Sequence, residues 1–115
     1  MSTTQDAVAV PQLFTGTQQV QTGTFYYGYA QNPGESFLSQ GSGPRKFDAE
    51  IKFPQPFATT PTVMIAMTGV DADHNFNTRI TVVSSDVTAA DFEVIASAWA
   101  DSIIYSVWGS WIAIG

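Results

Sequence analysis

Trp99, Asp101 and Tyr105 stand within seven residues of one another in the segment Ile95 to Gly115, IASAWADSIIYSVWGSWIAIG. They sit where two β-prone runs meet across a short polar turn. A flat aromatic face beside fixed hydrogen-bonding groups is what holding a sugar requires: the ring packs on C–H surfaces while carboxylate, amide or guanidinium groups satisfy the hydroxyls. A plain hairpin whose aromatic residues belong to the core explains the same segment.

Other constellations point away from catalysis. His74 is the only histidine, so a Ser-His-Asp or histidine-metal set would have to centre on it, and nothing around it resembles a nucleophile elbow. The carboxylate pairs Asp48 with Glu50 and Asp91 with Glu93 fall at i, i+2 on strand-like runs, which directs both members to one outer face as solvated charge rather than across a glycosidic bond. The loop from Asp71 to Asn77, DADHNFN, alternates oxygen ligands in the manner of a calcium loop. Phe76 occupies the position of the turn glycine, and no bidentate glutamate follows at the right distance. The expectation is a protein that is not an enzyme and needs no cofactor.

Composition narrows the partners. Four basic residues stand against ten acidic ones, a formal charge of −6, so a basic patch for nucleic acid or anionic lipid is not available. Neither disulfides nor thiolate chemistry is possible without cysteine. No run approaches the roughly 18 apolar residues of a membrane span, so no membrane insertion is expected. The first residues, MSTTQDAVAVPQLFTG, lack a cationic segment and show no signal peptide, which suits a cytoplasmic or non-classically secreted chain. Charged residues make up 12% of the chain, against about 25% in ordinary soluble domains, and 44% are hydrophobic. That balance suggests surface hidden between subunits.

These residues must be positioned by β-structure. Residues 1–19 read as an arm or linker with a short alternating piece around Val8, Val10 and Leu13. From Val20, VQTGTFYYGYA is aromatic and β-prone, with Gly23 and Gly28 marking bulges or close backbone approach. The stretch 31–44 carries Asn-Pro-Gly and Gly-Ser-Gly-Pro turn signals. Phe47, Ala49, Ile51 and Phe53 alternate with polar residues as in a half-buried strand. Val63 to Val70 is apolar on both faces, as a central buried strand would be. Residues 79–85 alternate, and 92–99 and 103–114 are two more β runs, while DVTAADF could hold one helical turn at most. Six strands without a helix predict an all-β, six-stranded antiparallel β-sandwich. In the last strand the alternation sends Tyr105, Val107 and Trp111 one way and Ile104, Trp108 and Ile112 the other, so both faces are apolar and packing against sister subunits is the economical explanation.

Four pieces of sequence, in this order, carry a family resemblance: QTGTF, IKFPQPFATTPTVMIAMTGVD, NTRITVVSSDVTAADFEV, and a terminal W-A-D-S-x-x-Y-S-V-x-x-S-W-I-A. From about Val20 to Gly115 the chain resembles the H-type lectin domain, the module of snail agglutinins and of the C-terminal part of discoidins. The resemblance implies a six-stranded sandwich assembled as a homotrimer, sometimes stacked into a hexamer, that binds galactose or N-acetylgalactosamine in shallow pockets at subunit junctions. By motif position it implies that Arg79, Trp99 and Tyr105 contact the sugar. Snail agglutinins have a histidine directly after the tryptophan, where this chain has Ala100. The family's aspartate from a neighbour's early loop falls near Ser42, with Asp48 further along, which leaves the acidic partner unassigned. Arg79 has an alternative role in a structural ion pair with Asp71, Asp73 or Asp101, and Asp101 an alternative role as a turn-former.

Overall fold

The computed structural model describes residues 18–28 and 37–115, with strands β1 (Val20–Gly28), β2 (Arg45–Lys52), β3 (Thr62–Ala72), β4 (Ile80–Ser85), β5 (Asp91–Ala98) and β6 (Ile104–Ile114), and a single 3₁₀ turn at Phe37–Ser39. All pairings are antiparallel and make two three-stranded sheets, β1-β6-β3 and β2-β5-β4. The six-stranded sandwich expected from the sequence is the fold. Most of the arm, 1–17, lies outside the described residues. Its last residue, Gln19, exchanges backbone hydrogen bonds with Gly115 at 2.8 and 3.0 Å and so extends the β1–β6 ladder by one rung. No helix among the described residues is long and apolar enough to cross a membrane.

The period-2 patterns decide which residues meet between the sheets. On β5 every second residue, Phe92, Val94, Ala96 and Ala98, is buried. One core cluster gathers Tyr27, Leu38, Ala96, Ala98, Ile104 and Val107; the other gathers Phe53, Phe57, Phe92, Val94, Trp111 and Ala113, with Phe25 and Val82 packed against both. The second cluster is an aromatic lattice: Phe53 meets Phe57 edge-on at 4.9 Å, and Trp111 meets Phe92 at 5.3 Å and 70°. Such edge-to-face pairs add about 0.5–1.5 kcal/mol beyond the area they bury. Trp111 fits because its β1 neighbour across the ladder is Gly23, where a Cβ would fall 2.6 Å from the indole nitrogen. The close approach expected at Gly23 is therefore made to a core tryptophan.

Two expectations change. Val63 to Val70 is not a central strand: β3 is the edge of its sheet, and Met64, Met67 and Val70 are 53%, 42% and 40% exposed. Its two-sided apolarity reflects an open outer face, not burial in the middle of a sheet. The alternation along β6 also shifts phase. Asp71 pairs with Ser106 and Ala72 with Ile104, so Tyr105 is the extra residue of a bulge, and Ile104 turns inward to join Val107 in the core instead of facing outward with Trp108. The segment DVTAADF forms no helix; its Thr88 hydroxyl accepts from the amides of Ala90 and Asp91 at 3.1 Å and pins the turn into β5.

Candidate functional site

The site residues gather where three chain segments leave the end of the sandwich: 73–79 before β4, 99–103 between β5 and β6, and 40–45 before β2. Ser102 ties the first two together. It is fully buried, its Oγ accepts from the Arg79 amide at 2.8 Å, and the same hydroxyl donates to the Asn77 carbonyl at 2.6 Å. Arg79 is thereby fixed one residue before β4 begins. Its Nη1 donates to Asp101 Oδ1 at 2.8 Å, in an ion pair with side chains 36% and 51% exposed. The Asn77 amide, oriented with its oxygen toward the guanidinium, accepts from Nη1 at 3.3 Å and Nη2 at 3.2 Å. Asp101 is thus the acidic partner of Arg79 among the alternatives left open, and its carboxylate is engaged by Arg79 and not by its own turn.

Tyr105 is held from the other side. Freed from the ladder by the bulge, it donates its hydroxyl to Asp73 Oδ2 at 2.8 Å, while Asp73 Oδ1 accepts from the Asn75 amide at 2.8 Å and side chain at 3.0 Å. The Asn75 amide, and after it the Tyr105 hydroxyl, hold the Asp73 carboxyl below its ordinary value, because each stabilises the ionised form. Asp73 therefore remains an acceptor for Tyr105 across neutral and mildly acidic pH.

Trp99, 41% exposed, sits on the far side of the same turn. The Ser102 amide donates to the Trp99 carbonyl at 3.3 Å, with Ala100 at a positive φ of 58° between them. The Ala100 carbonyl accepts from the Gly43 amide at 2.9 Å and from Arg45 Nη2 at 3.2 Å. Arg45 also donates to the carbonyls of Gly43 and Gln40, at 2.8 and 3.0 Å, so its guanidinium serves as an internal staple for the 40–44 loop. Exposed Ser42 therefore rides on a loop docked against the Ala100 turn of its own chain. Trp99 walls an open groove of about 380 Å³ together with Pro44, Arg45, Lys46, Ser97 and Ala98. Asp48 lies 3.4 Å from Lys46 and belongs to the outer face of β2, not to Arg79.

The structure thus brings Arg79 and Asp101 into direct contact, anchors Tyr105 through the neighbouring loop, and lines the adjoining groove with Trp99, while Ala100 holds the loop that carries Ser42. Asn77 and Ser102, which position Arg79, carry no role in the sequence reading although they lie inside the N-T-R-I and W-A-D-S motifs; Asp73, a candidate ion-pair partner of Arg79 by sequence, instead holds the Tyr105 hydroxyl. Among the described residues no group of three His, Asp or Glu side chains is placed to hold a metal ion.

The sequence pattern of the H-type lectin domain matches residues 48–114, more than half of the chain. This chain belongs to the H-type lectin domain family. The match runs from within β2 to the end of β6 and includes Arg79, Trp99, Ala100, Asp101 and Tyr105, but not Ser42 or Arg45. A discoidin-1 polypeptide of Dictyostelium discoideum is 31% identical over 99 residues, covering 84% of this chain and 39% of its own length. The product of "ATP synthase subunits region ORF 7" of Fuscovulum blasticum is 35% identical over 75 residues, 65% of each chain. The structure of recombinant discoidin II from D. discoideum superposes with a TM-score of 0.76 at 25% identity, over 91% of this chain and 40% of that one. This lectin-family chain therefore spans about two-fifths of the length of the discoidins it matches.

Proposed function

We propose that the chain is a non-enzymatic, carbohydrate-binding lectin that recognises terminal galactose-type sugars, galactose or N-acetylgalactosamine, as a homotrimer. The observation that carries this reading is the state of Arg79. Its guanidinium is oriented by Asp101 and Asn77, yet the pair remains open to solvent. A purely structural ion pair of this kind at a surface contributes about 0–1 kcal/mol, so stability alone gives little reason for a buried serine and two further side chains to fix it. A guanidinium held in one orientation can satisfy two adjacent sugar oxygens with little further ordering. Trp99 and Tyr105 supply aromatic surface beside it, and the 38–48 loop of a neighbouring subunit completes the pocket.

Assembly is supported by the outer face of β1-β6-β3. Val20, Met64 and Trp108 are exposed there, Ile112 is half-buried, and an open groove of about 440 Å³ runs over Thr22, Thr24, Met64, Ala66, Ser110 and Ile112. Strands β1 and β6 contain no charged residue. A single shallow site binds weakly, and several sites on one assembly give useful avidity at a glycan-coated surface. The same bare face also favours a second reading, a trimerisation or adhesion module of a larger assembly whose sugar pocket is vestigial because Ala100 replaces the histidine.

A glycan array followed by titration calorimetry separates the two readings: galactose-type sugars bind under the first, and no glycan binds under the second. Ala100→His sharpens the test. Histidine tolerates a positive φ at least as well as alanine, and a regained hydrogen bond is worth about 0.5–1.5 kcal/mol. The variant is expected to favour N-acetylgalactosamine over galactose more strongly than the wild type. An unchanged ratio assigns acetamido recognition to other residues.

A further inference from the structure

The loop between β3 and β4 is tied to the Arg79 site at both ends. Asp73 holds the Tyr105 hydroxyl and takes both hydrogen bonds of Asn75, while Asn77 gives its carbonyl to Ser102 and its side-chain oxygen to Arg79. The side chain of Phe76, between Asn75 and Asn77, is not used to hold the loop. It is 44% exposed and belongs to neither core cluster. A lone exposed aromatic residue is ordinary on a protein surface. Here the clamps on both sides fix its backbone at the rim of the site, one residue from a side chain that touches the guanidinium.

We propose that Phe76 is a specificity-determining residue that packs against the group joined to the sugar held by Arg79, so that the lectin selects an apolar or C–H-rich neighbour over a bare glycoside. This rests on the reading of Arg79 as a sugar ligand. Arg79, Asp101 and Asn77 are polar groups suited to hydroxyls, and none of them rewards an apolar surface. Phe76 is three residues from Arg79 in a loop clamped at both ends, with consecutive Cα atoms about 3.8 Å apart, so a ligand unit extending from a sugar on Arg79 comes within range of its ring. That unit is the C–H face of a second hexose in a glycan, or an aryl aglycone in a synthetic probe, either of which a phenyl ring packs against.

The test is calorimetric titration of the wild type, Phe76→Ala and Phe76→Trp with the methyl and p-nitrophenyl galactosides, both anomers of each, with light scattering on each variant. The wild type is expected to bind at least one aryl galactoside about three- to tenfold more tightly than the methyl galactoside. Phe76→Ala should lose that preference while its methyl-galactoside affinity stays within about twofold, and Phe76→Trp should retain it. Equal binding of aryl and methyl galactosides by the wild type overturns the proposal, as does an equal loss for both in Phe76→Ala or a change in that variant's oligomeric mass. Failure of the wild type to bind any methyl galactoside overturns the underlying sugar reading itself, an outcome distinct from the loss of aryl preference.

Discussion

The two sheets bury similar apolar faces against each other but turn very different faces outward. On β1-β6-β3 the outer surface carries Val20, Thr22, Thr24, Met64, Trp108, Ser110 and Ile112, and the sheet's sole charged residue is Asp71 near the end of β3. On β2-β5-β4 the outer surface carries Lys46, Asp48, Glu50, Lys52, Asp91 and Glu93. The protein's low charged fraction is therefore not spread evenly: one sheet has almost no charge, while the other holds most of what the strands contain. An uncharged sheet face with an exposed tryptophan suits burial against another protein surface, and a charged one suits water. Arg79 leads into β4 of the charged sheet, so the proposed division places sugar binding at the end of the wet sheet and assembly on the dry one.

The largest expected effect breaks the dry face. Trp108 is 42% exposed and partly covered by Tyr26, whose ring lies 5.3 Å away. A tryptophan at the centre of an interface contributes about 2 kcal/mol or more, and a carboxylate in its place would be buried unpaired. Trp108→Asp is expected to shift the species in light scattering from trimer to monomer while the far-ultraviolet circular dichroism of the sandwich persists. A wild-type protein that is already monomeric at micromolar concentration would refute the assembly half of the comparison.

Arg79→Ala is the reciprocal experiment. Each lost hydrogen bond to a charged donor costs about 1.5–3 kcal/mol, so galactose-type binding should fall at least tenfold with trimer mass and thermal stability nearly unchanged. Arg79→Lys, a point charge without the guanidinium fork, should recover only part of the affinity. Normal binding by the alanine variant would remove Arg79 from the site. An unfolded variant would make its pair with Asp101 structural.

How legible was this division beforehand? Alternation identified six strands and the apolarity of both faces of β6, because a period of two survives wherever one face is buried. It could not say that Val63 to Val70 forms an edge, since a central strand and an uncovered apolar edge look alike along the chain. Nor could it show the bulge at Tyr105, a property of how β6 pairs with β3. At the site, the motif N-T-R-I marked Arg79, but the partnership with Asp101 joins residues 22 apart in sequence. Asp71, Asp73 and Asp101 were equally good candidates until the turn at Ala100 and the Ser102 hydroxyl fixed their places.

Ser102 supplies a smaller, intermediate test. Removing its hydroxyl leaves the Arg79 amide and the Asn77 carbonyl short of a partner in a buried position, at a cost of about 1–3 kcal/mol. Ser102→Ala should lower Tm by several degrees in a domain of this size, and it should weaken sugar binding less than Arg79→Ala does, because the guanidinium loses positioning but not its donors. A variant with wild-type Tm and affinity would show that Ser102 is dispensable.

The smallest expected effect sharpens the wet side of the comparison. Glu93 lies directly across the ladder from Glu50, and its carboxyl is raised above its ordinary value of 4.5, first by a hydrogen bond shared with Asp86, then by desolvation and by the charges of Asp86 and Asp48. A carboxyl with a raised value binds its proton more tightly in the folded than in the unfolded chain. Its contribution to stability is complete below about 4.5 and is lost as pH rises through the higher folded value, so at neutral pH the acidic face is mildly self-repelling. Glu93→Gln keeps a donor for Asp86 and removes the charge at every pH. Thermal melts at equal protein concentration should show the variant slightly more stable than the wild type at pH 7, with the difference shrinking as the pH is lowered toward 4.5. Because Asp73 is shifted the opposite way, below 3.8, its loss of stability falls at still lower pH and leaves this window to Glu93. A gain independent of pH would trace the effect to packing rather than to charge, and a loss at pH 7 would mean that the acidic face is stabilised as it stands, with its charges answered by Lys46 and Lys52.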